Sequence, residues 1–102
     1  MLIELKKFGT LLMSRQSGKE SFLALNPRLK EISAGEEIEV DFAGVDVFSP
    51  SWGDEFLTPL FQLFKDRMTL KNADNPSVRA SLEILRDLPD GISFRSSGET
   101  RK

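Results

Sequence analysis

A short run of alternating apolar and polar residues, 38–42, constrains the fold of this chain most strongly. Apolar side chains occupy positions 38, 40 and 42, and carboxylates occupy positions 39 and 41. Successive side chains of a strand point to opposite faces, so the pattern predicts a strand with one buried face. Helix-spaced segments lie on both sides of this run, and strands that alternate with helices are typical of an α/β layer. We therefore predict a small α/β domain whose helices cover mainly one face of the sheet.

The rest of the chain fits the same plan of short strands and amphipathic helices. Helical spacing predicts a helix over residues 8–15 and a second one that begins at a capping Ser17 and is divided at Pro27. Apolar spacing and turn residues predict further strands over residues 1–5, 68–71 and 92–94. One domain over residues 1–95 and a polar tail over residues 96–102 complete the prediction.

Two later helices are predicted from a proline that follows a capping residue, at Ser49-Pro50-Ser51 and at Asn75-Pro76. Proline is preorganised for the first helical turn, and Ser or Asn caps the free N–H groups there. Pro59 lies within the first of these helices, where a kink is expected. Wide helical spacing predicts a buried stripe on that helix, made by Trp52, Phe56, Leu60, Phe61 and Phe64.

Composition excludes several classes of chemistry. The 102 residues include no His, no Cys and no Tyr, and the net charge is −2. The sequence therefore excludes a Ser-His-Asp triad, a thiolate nucleophile and a thiolate zinc site. The charges are interspersed without a basic stripe, so no nucleic-acid partner is expected. No apolar run approaches the roughly 20 residues that span a bilayer, and the N-terminal residues do not resemble a signal peptide, so we expect a cytoplasmic protein without membrane contact.

Carboxylates and serines near the predicted helix start are the candidate functional residues. Asp41, Asp54 and Glu55 offer the oxygen ligands that hard divalent cations prefer, which keeps open a metal-binding or enzymatic domain. Acids in a first helical turn also favour the helix dipole without any metal. Ser49 and Ser51 have no histidine base to make them nucleophiles, and spacing favours capping, with Ser51 and Asp54 in the S-x-x-D pattern.

Residues 41–57 resemble a known bacterial family, the STAS-like domains of unknown function. The matching letters are DFAGVDVFSPSWGDEFL, and Phe8-Gly9 and Ser14-Arg15 resemble the opening of the same family. The resemblance implies a STAS-like α/β fold. The same stretch is more distantly similar to the STAS domains of anti-sigma factor antagonists. An ungapped match to them places Pro50 at their phosphorylated serine and Ser51 one residue beyond it.

The resemblance to the antagonists implies a regulatory, non-enzymatic module without a cofactor. In those domains a serine at a helix start is phosphorylated by a GHKL-type ATPase, and phosphorylation releases that partner. Ser51 is then the first candidate phosphoacceptor and Ser49 the second. A non-switching structural adaptor that uses apolar helix surface stays open as an alternative. The segment expected to contact a protein partner comprises Ser49, Pro50, Ser51, Trp52, Asp54 and Glu55.

Overall fold

Short strands and helices alternate along the chain, as the sequence pattern predicts. A computed structural model describes residues 1–89 and 91 and the backbone of residues 95–96. Within this part of the chain, six strands and three α-helices occur, together with two single-turn 3-10 helices. In chain order they are β1 (Leu2–Glu4), β2 (Leu11–Leu12), α1 (Arg15–Leu29), β3 (Ile38–Asp41), β4 (Val47–Phe48), α2 (Pro50–Phe64), β5 (Met68–Lys71), α3 (Pro76–Arg86) and β6 (Arg95–Ser96).

Two parallel sheets organise these elements. The larger sheet has the strand order β1-β3-β5-β6, and the smaller one pairs β2 with β4. Every pairing is parallel, so each strand of the larger sheet is joined to its neighbour by a connection that contains one α-helix. Such crossovers place helices against the sheet and confirm the α/β prediction.

Only one face of the larger sheet is buried in the core. In β3, Ile38 and Val40 are inaccessible to solvent, whereas Glu39 between them is exposed. In β5, Met68 and Leu70 are likewise buried, and Thr69 and Lys71 are partly exposed. The prediction of helices mainly on one face is therefore confirmed, and the alternation follows directly from the strand repeat.

Aromatic side chains fill the space between α2 and the small sheet. The Trp52 ring stacks on Phe56 with centroids 4.7 Å apart, and Phe48 meets the indole edge-on at 5.9 Å. Phe42 in turn packs edge-on against Phe48 at 5.1 Å. Of the predicted stripe, all but the half-buried Phe61 are buried, so this stripe belongs to the core.

The predicted helix over residues 8–15 is wrong. A 3-10 turn ends at Phe8, and Gly9 follows with a φ of 136°, a backbone conformation that residues other than glycine rarely adopt. The chain then turns into β2, where Leu11 pairs with Val47 and Leu12 with Phe48. The helical spacing of these apolar residues was misleading because the left-handed glycine and the long-range pairing override it.

The bounds of α1 also differ from the prediction. Its cap is Ser14, whose Oγ accepts a hydrogen bond from the Ser17 N–H at 3.0 Å, so Ser17 is not the cap. The helix continues through Pro27 to Leu29. Pro27 is exposed, and water can therefore solvate the Leu23 carbonyl that loses its usual helical donor.

The starts of α2 and α3 confirm the predicted Pro-based signals. Ser49 and Asn75 are the caps, and each accepts a hydrogen bond from a backbone N–H of its helix. α2 also continues past Pro59 to Phe64. The predicted strand over residues 92–94 lies outside the described residues. β6 includes Ser96, and the remainder of the predicted tail, 97–102, also lies outside them.

Candidate partner-binding site

Ser49 joins the start of α2 to the end of β2. Its Oγ accepts a hydrogen bond from the Trp52 N–H at 3.1 Å and donates one to the Met13 carbonyl. Its own N–H donates to the Leu12 carbonyl at 2.9 Å. Because the hydroxyl is used both as donor and as acceptor, modifying it would remove the cap of α2 and break the contact with Met13.

Ser51 has a different environment, although it lies only two residues away. It occupies the first turn of α2 and is partly exposed. Its hydroxyl has no hydrogen-bond partner among the described residues. The predicted capping pair of Ser51 with Asp54 is therefore wrong, since Ser49 caps the helix and Asp54 binds elsewhere. Between the two serines, only Ser51 presents a hydroxyl that fixes no local structure.

The first residue of α1, Arg15, bridges both acids of the α2 start. Its Nη1 donates to Asp54 Oδ2 at 2.9 Å and to Glu55 Oε2 at 2.7 Å. The hydrogen bonds to Asp54 and then to Glu55 raise the pKa of Arg15, so the guanidinium stays charged at any physiological pH. A cation in a first helical turn is disfavoured by the helix dipole, and here two carboxylates from the neighbouring helix compensate it.

The two helix starts lie against each other with little space between their backbones. A Cβ placed on Gly18 of α1 would lie 2.5 Å from the Trp52 carbonyl oxygen of α2. On the opposite side of α2, a Cβ on Gly53 would lie 2.6 Å from a Leu85 methyl and 2.7 Å from the Phe48 ring. These glycines let α2 pack closely on both sides, which fixes the position of the candidate site.

An apolar edge borders the same helix start. Leu11 is 61% exposed and Met13 is 55% exposed, whereas Leu12 between them is buried. Alternate residues of an extended segment share a face, so the two side chains lie on the same side of β2. Exposed large apolar side chains that lie together are typical of interaction surfaces.

The predicted partner segment is thus only partly a surface. Ser49, Pro50, Ser51, Asp54 and Glu55 are partly exposed, whereas Trp52 has 0% exposure. The prediction that Trp52 belongs to the buried stripe is confirmed, and its ring is not available to a partner. It contributes by fixing the direction of α2 through its stacking on Phe56.

The acids of the alternative metal site make separate contacts within the described chain. Asp41 ends β3, where it accepts hydrogen bonds from Asn72 Nδ2 at 2.8 Å and from the Ala43 N–H at 2.9 Å. These two donors, the Asn72 amide first, lower the pKa of Asp41. Asp54 and Glu55 instead bind Arg15. In the part of the chain that the structure describes, no three acidic side chains come together as metal ligands would.

A comparison with protein families matches residues 25–78, just over half of the chain, to the STAS-like domain of unknown function (DUF4325). The chain belongs to this STAS-like family. The match contains β3, β4, α2 and β5, and it confirms the resemblance seen in residues 41–57. No curated protein and no solved structure is significantly similar to the chain. Among the described residues, no helix is both long and apolar enough to cross a membrane.

Three residues that border the candidate site were not singled out from the sequence. Arg15 falls outside the family match, and Leu11 and Met13 lie in the segment that was predicted to be helical. The sequence offered no signal for Arg15, because the predicted helix over residues 8–15 placed it in a last turn, where a cation is favourable; only the observed bounds of α1 place it in a first turn. The exposure of Leu11 and Met13 had no sequence signal, since it depends on the pairing of β2 with β4.

Proposed function

We propose that this STAS-like domain is a regulatory module that binds a protein partner through the start of α2. The observation that carries the proposal is the combination of exposed apolar side chains and a fixed polar cluster at this place. We call this surface the helix-start patch. It comprises Leu11, Met13, Arg15, Ser51, Asp54 and Glu55.

The composition of the patch fits a protein partner. Apolar side chains flanked by charged groups are the usual arrangement of a protein interface, with an apolar centre and a polar rim. Leu11 and Met13 supply the apolar part, and the bridged carboxylates of Asp54 and Glu55 supply the rim. The resemblance to anti-sigma factor antagonists favours a GHKL-type ATPase as this partner.

Phosphorylation of Ser51 would switch this surface. In the transfer, Ser51 Oγ attacks the γ-phosphorus of ATP, the bond to the β–γ bridging oxygen breaks, ADP leaves, and the hydroxyl proton passes to a base of the kinase. The product carries about −1.5 to −2 additional charge. Asp54 and Glu55 lie three and four residues later on the same helix face, so the phosphate concentrates negative charge on this surface. That charge weakens the binding of a partner whose surface fits the neutral serine.

The proposal assigns no catalytic residue to this chain. With no His, Cys or Tyr in the sequence, Ser and Thr are the candidate acceptors for a partner kinase. Ser51 is favoured over Ser49 because the Ser49 hydroxyl is committed to the α2 cap and to Met13. The chain then acts as a substrate and a binder.

Calorimetry with GHKL-type ATPases from the same organism tests the proposal. Leu11→Glu should weaken binding at least about tenfold, as expected for an apolar residue central to an interface. Leu23→Glu is the matched control, because Leu23 has a similar exposure of 57% but lies outside the helix-start patch, about two helical turns after Arg15 in α1. Equal losses in the two variants, or no binding by the wild type, would contradict the proposal.

A phosphosite map after incubation with the same ATPases and ATP tests the switch separately. Ser51→Ala should abolish the mass increase of one phosphoryl group, whereas Ser49→Ala should retain it. A phosphate at Ser49 or at a serine outside the patch would contradict the assignment. Concentration-dependent light scattering without any partner would support the non-switching adaptor instead.

A further inference from the structure

A groove lies at the opposite end of α1 and α2 from the helix-start patch. Its volume is about 350 Å³, and it is bounded by the last turns of both helices and by the loop that follows α1. Small-molecule pockets have volumes of about 300–1,000 Å³. A 15-residue helix is about 22 Å long, so the groove and the patch are separate sites.

The floor of this α1–α2 groove is apolar. Leu29 and Phe64 are 7% and 6% exposed and close its base, and Ile32 is half-buried beside them. Leu63 forms one wall and is 53% exposed, so its side chain is accessible to a ligand. An apolar ligand would cover this side chain and extend the core outward.

The charged residues that line the groove are both cations. Lys30 and Arg67 lie at its rim, and no carboxylate is among the described residues that line it. Lys30 has no ion pair within the described chain. The Arg67 guanidinium lies over the Phe64 ring at 5.1 Å and donates to the Glu36 carbonyl at 3.1 Å, so it is already held in place.

The backbone near the groove does not cancel this positive charge. Helix C-termini carry free carbonyls that repel anions. Here the Arg28, Leu29 and Leu63 carbonyls accept hydrogen bonds, from the Glu31 and Ile32 N–H groups and from Arg67. These three carbonyls are therefore satisfied within the chain, and the charged groups that line the groove are the donors of Lys30 and Arg67.

We propose that the α1–α2 groove binds a small apolar molecule with one carboxylate, its chain on Leu63 and Phe64 and its carboxylate between Lys30 and Arg67. A carboxylate matches both cations, and the guanidinium retains N–H donors beyond the two that bind carbonyls. The groove lies at the far ends of both helices that form the helix-start patch, and its ligand is independent of any protein partner.

Titration of the full chain with octanoate, followed by backbone amide NMR, tests this proposal. Octanoate binding should reach saturation below about 10 mM and change the chemical shifts of the backbone amides of residues 26–34 and 63–67. 1-Octanol and octylammonium are matched probes, because they keep the alkyl chain and remove or reverse the charge. Both should bind more weakly than octanoate. Equal binding of all three, or shifts confined to other residues, would overturn the proposal.

Two variants test the charged and apolar parts of the groove separately. Lys30→Gln should weaken the binding of octanoate by about twofold to fivefold, as expected for the loss of one exposed charge pair. The affinity for 1-octanol should not change. Lys19→Gln is the control, since Lys19 is an exposed lysine in α1 that lies far from the groove. Leu63→Ala should weaken both probes. An unchanged octanoate affinity in Lys30→Gln and Leu63→Ala would refute the site, whatever the partner experiments show.

Discussion

Replacing Gly18 by alanine tests the close approach of the two helices at the helix-start patch. The added methyl would lie 2.5 Å from the Trp52 carbonyl oxygen, whereas ordinary contacts begin at 3.4 Å. The helices must separate by about 1 Å, because the obstacle is backbone and cannot rotate away. Overpacking of this kind costs about 1–3 kcal/mol, and alanine recovers up to about 1 kcal/mol of helix propensity. We expect a net loss of about 1–2 kcal/mol in the free energy of unfolding.

Urea and thermal unfolding followed by the fluorescence of Trp52, the single tryptophan, measure this loss. The melting temperature should fall by about 5–15 °C for a domain of this size. Lys19→Ala and Lys19→Gly give the intrinsic helix propensity at the adjacent exposed position, where alanine should be more stable by about 1 kcal/mol. A Gly18→Ala variant as stable as the wild type, with a normal Lys19 pair, would refute the close-approach argument.

Three smaller perturbations separate the roles of the polar residues. Ser49→Ala should lower the free energy of unfolding by about 1–2 kcal/mol because it removes a cap, whereas Ser51→Ala should stay within about 0.5 kcal/mol in the same urea assay; equal losses would contradict the assignment. Asp41 has a lowered pKa in the folded state, so its stabilisation is present above about pH 4 and is lost as the pH falls through the folded pKa. Unfolding from pH 7 to about pH 2 should therefore show a shallower acid loss for Asp41→Asn, and parallel curves would be evidence against this linkage. Arg15→Gln should lower the melting temperature by a few degrees at low salt and much less at about 1 M NaCl, because the bridge is exposed; a salt-independent difference would point to another cause.

Sequence patterns over a few residues correctly predicted the elements that depend on neighbouring residues alone. The alternation in β3 and the proline-based starts of α2 and α3 depend on nearest-neighbour geometry, so they survived in the fold. The predicted helix over residues 8–15 failed because apolar spacing alone does not distinguish a short helix from a strand beside a turn. Pairing with β4 decided that segment, and no local signal reports on a partner 36 residues away.

The candidate site shows the same division. Ser51, Asp54 and Glu55 were found from the family signature, and their position in the first turns of α2 follows from Ser49 and Pro50. Their counter-ion was not found, because Arg15 lies some 40 residues earlier in the chain. Only the packing of α1 against α2 brings them together.

By itself, the sequence determined that this chain is a STAS-like α/β domain without histidine or cysteine chemistry, with a helix start as its candidate site. The tertiary structure decided which parts of that segment are available. It buried Trp52, committed the Ser49 hydroxyl to Met13 and left Ser51 without a described partner. The reason is physical: residue types and local spacing fix secondary structure and chemistry, whereas exposure and ion pairing depend on contacts between segments that are distant in the chain.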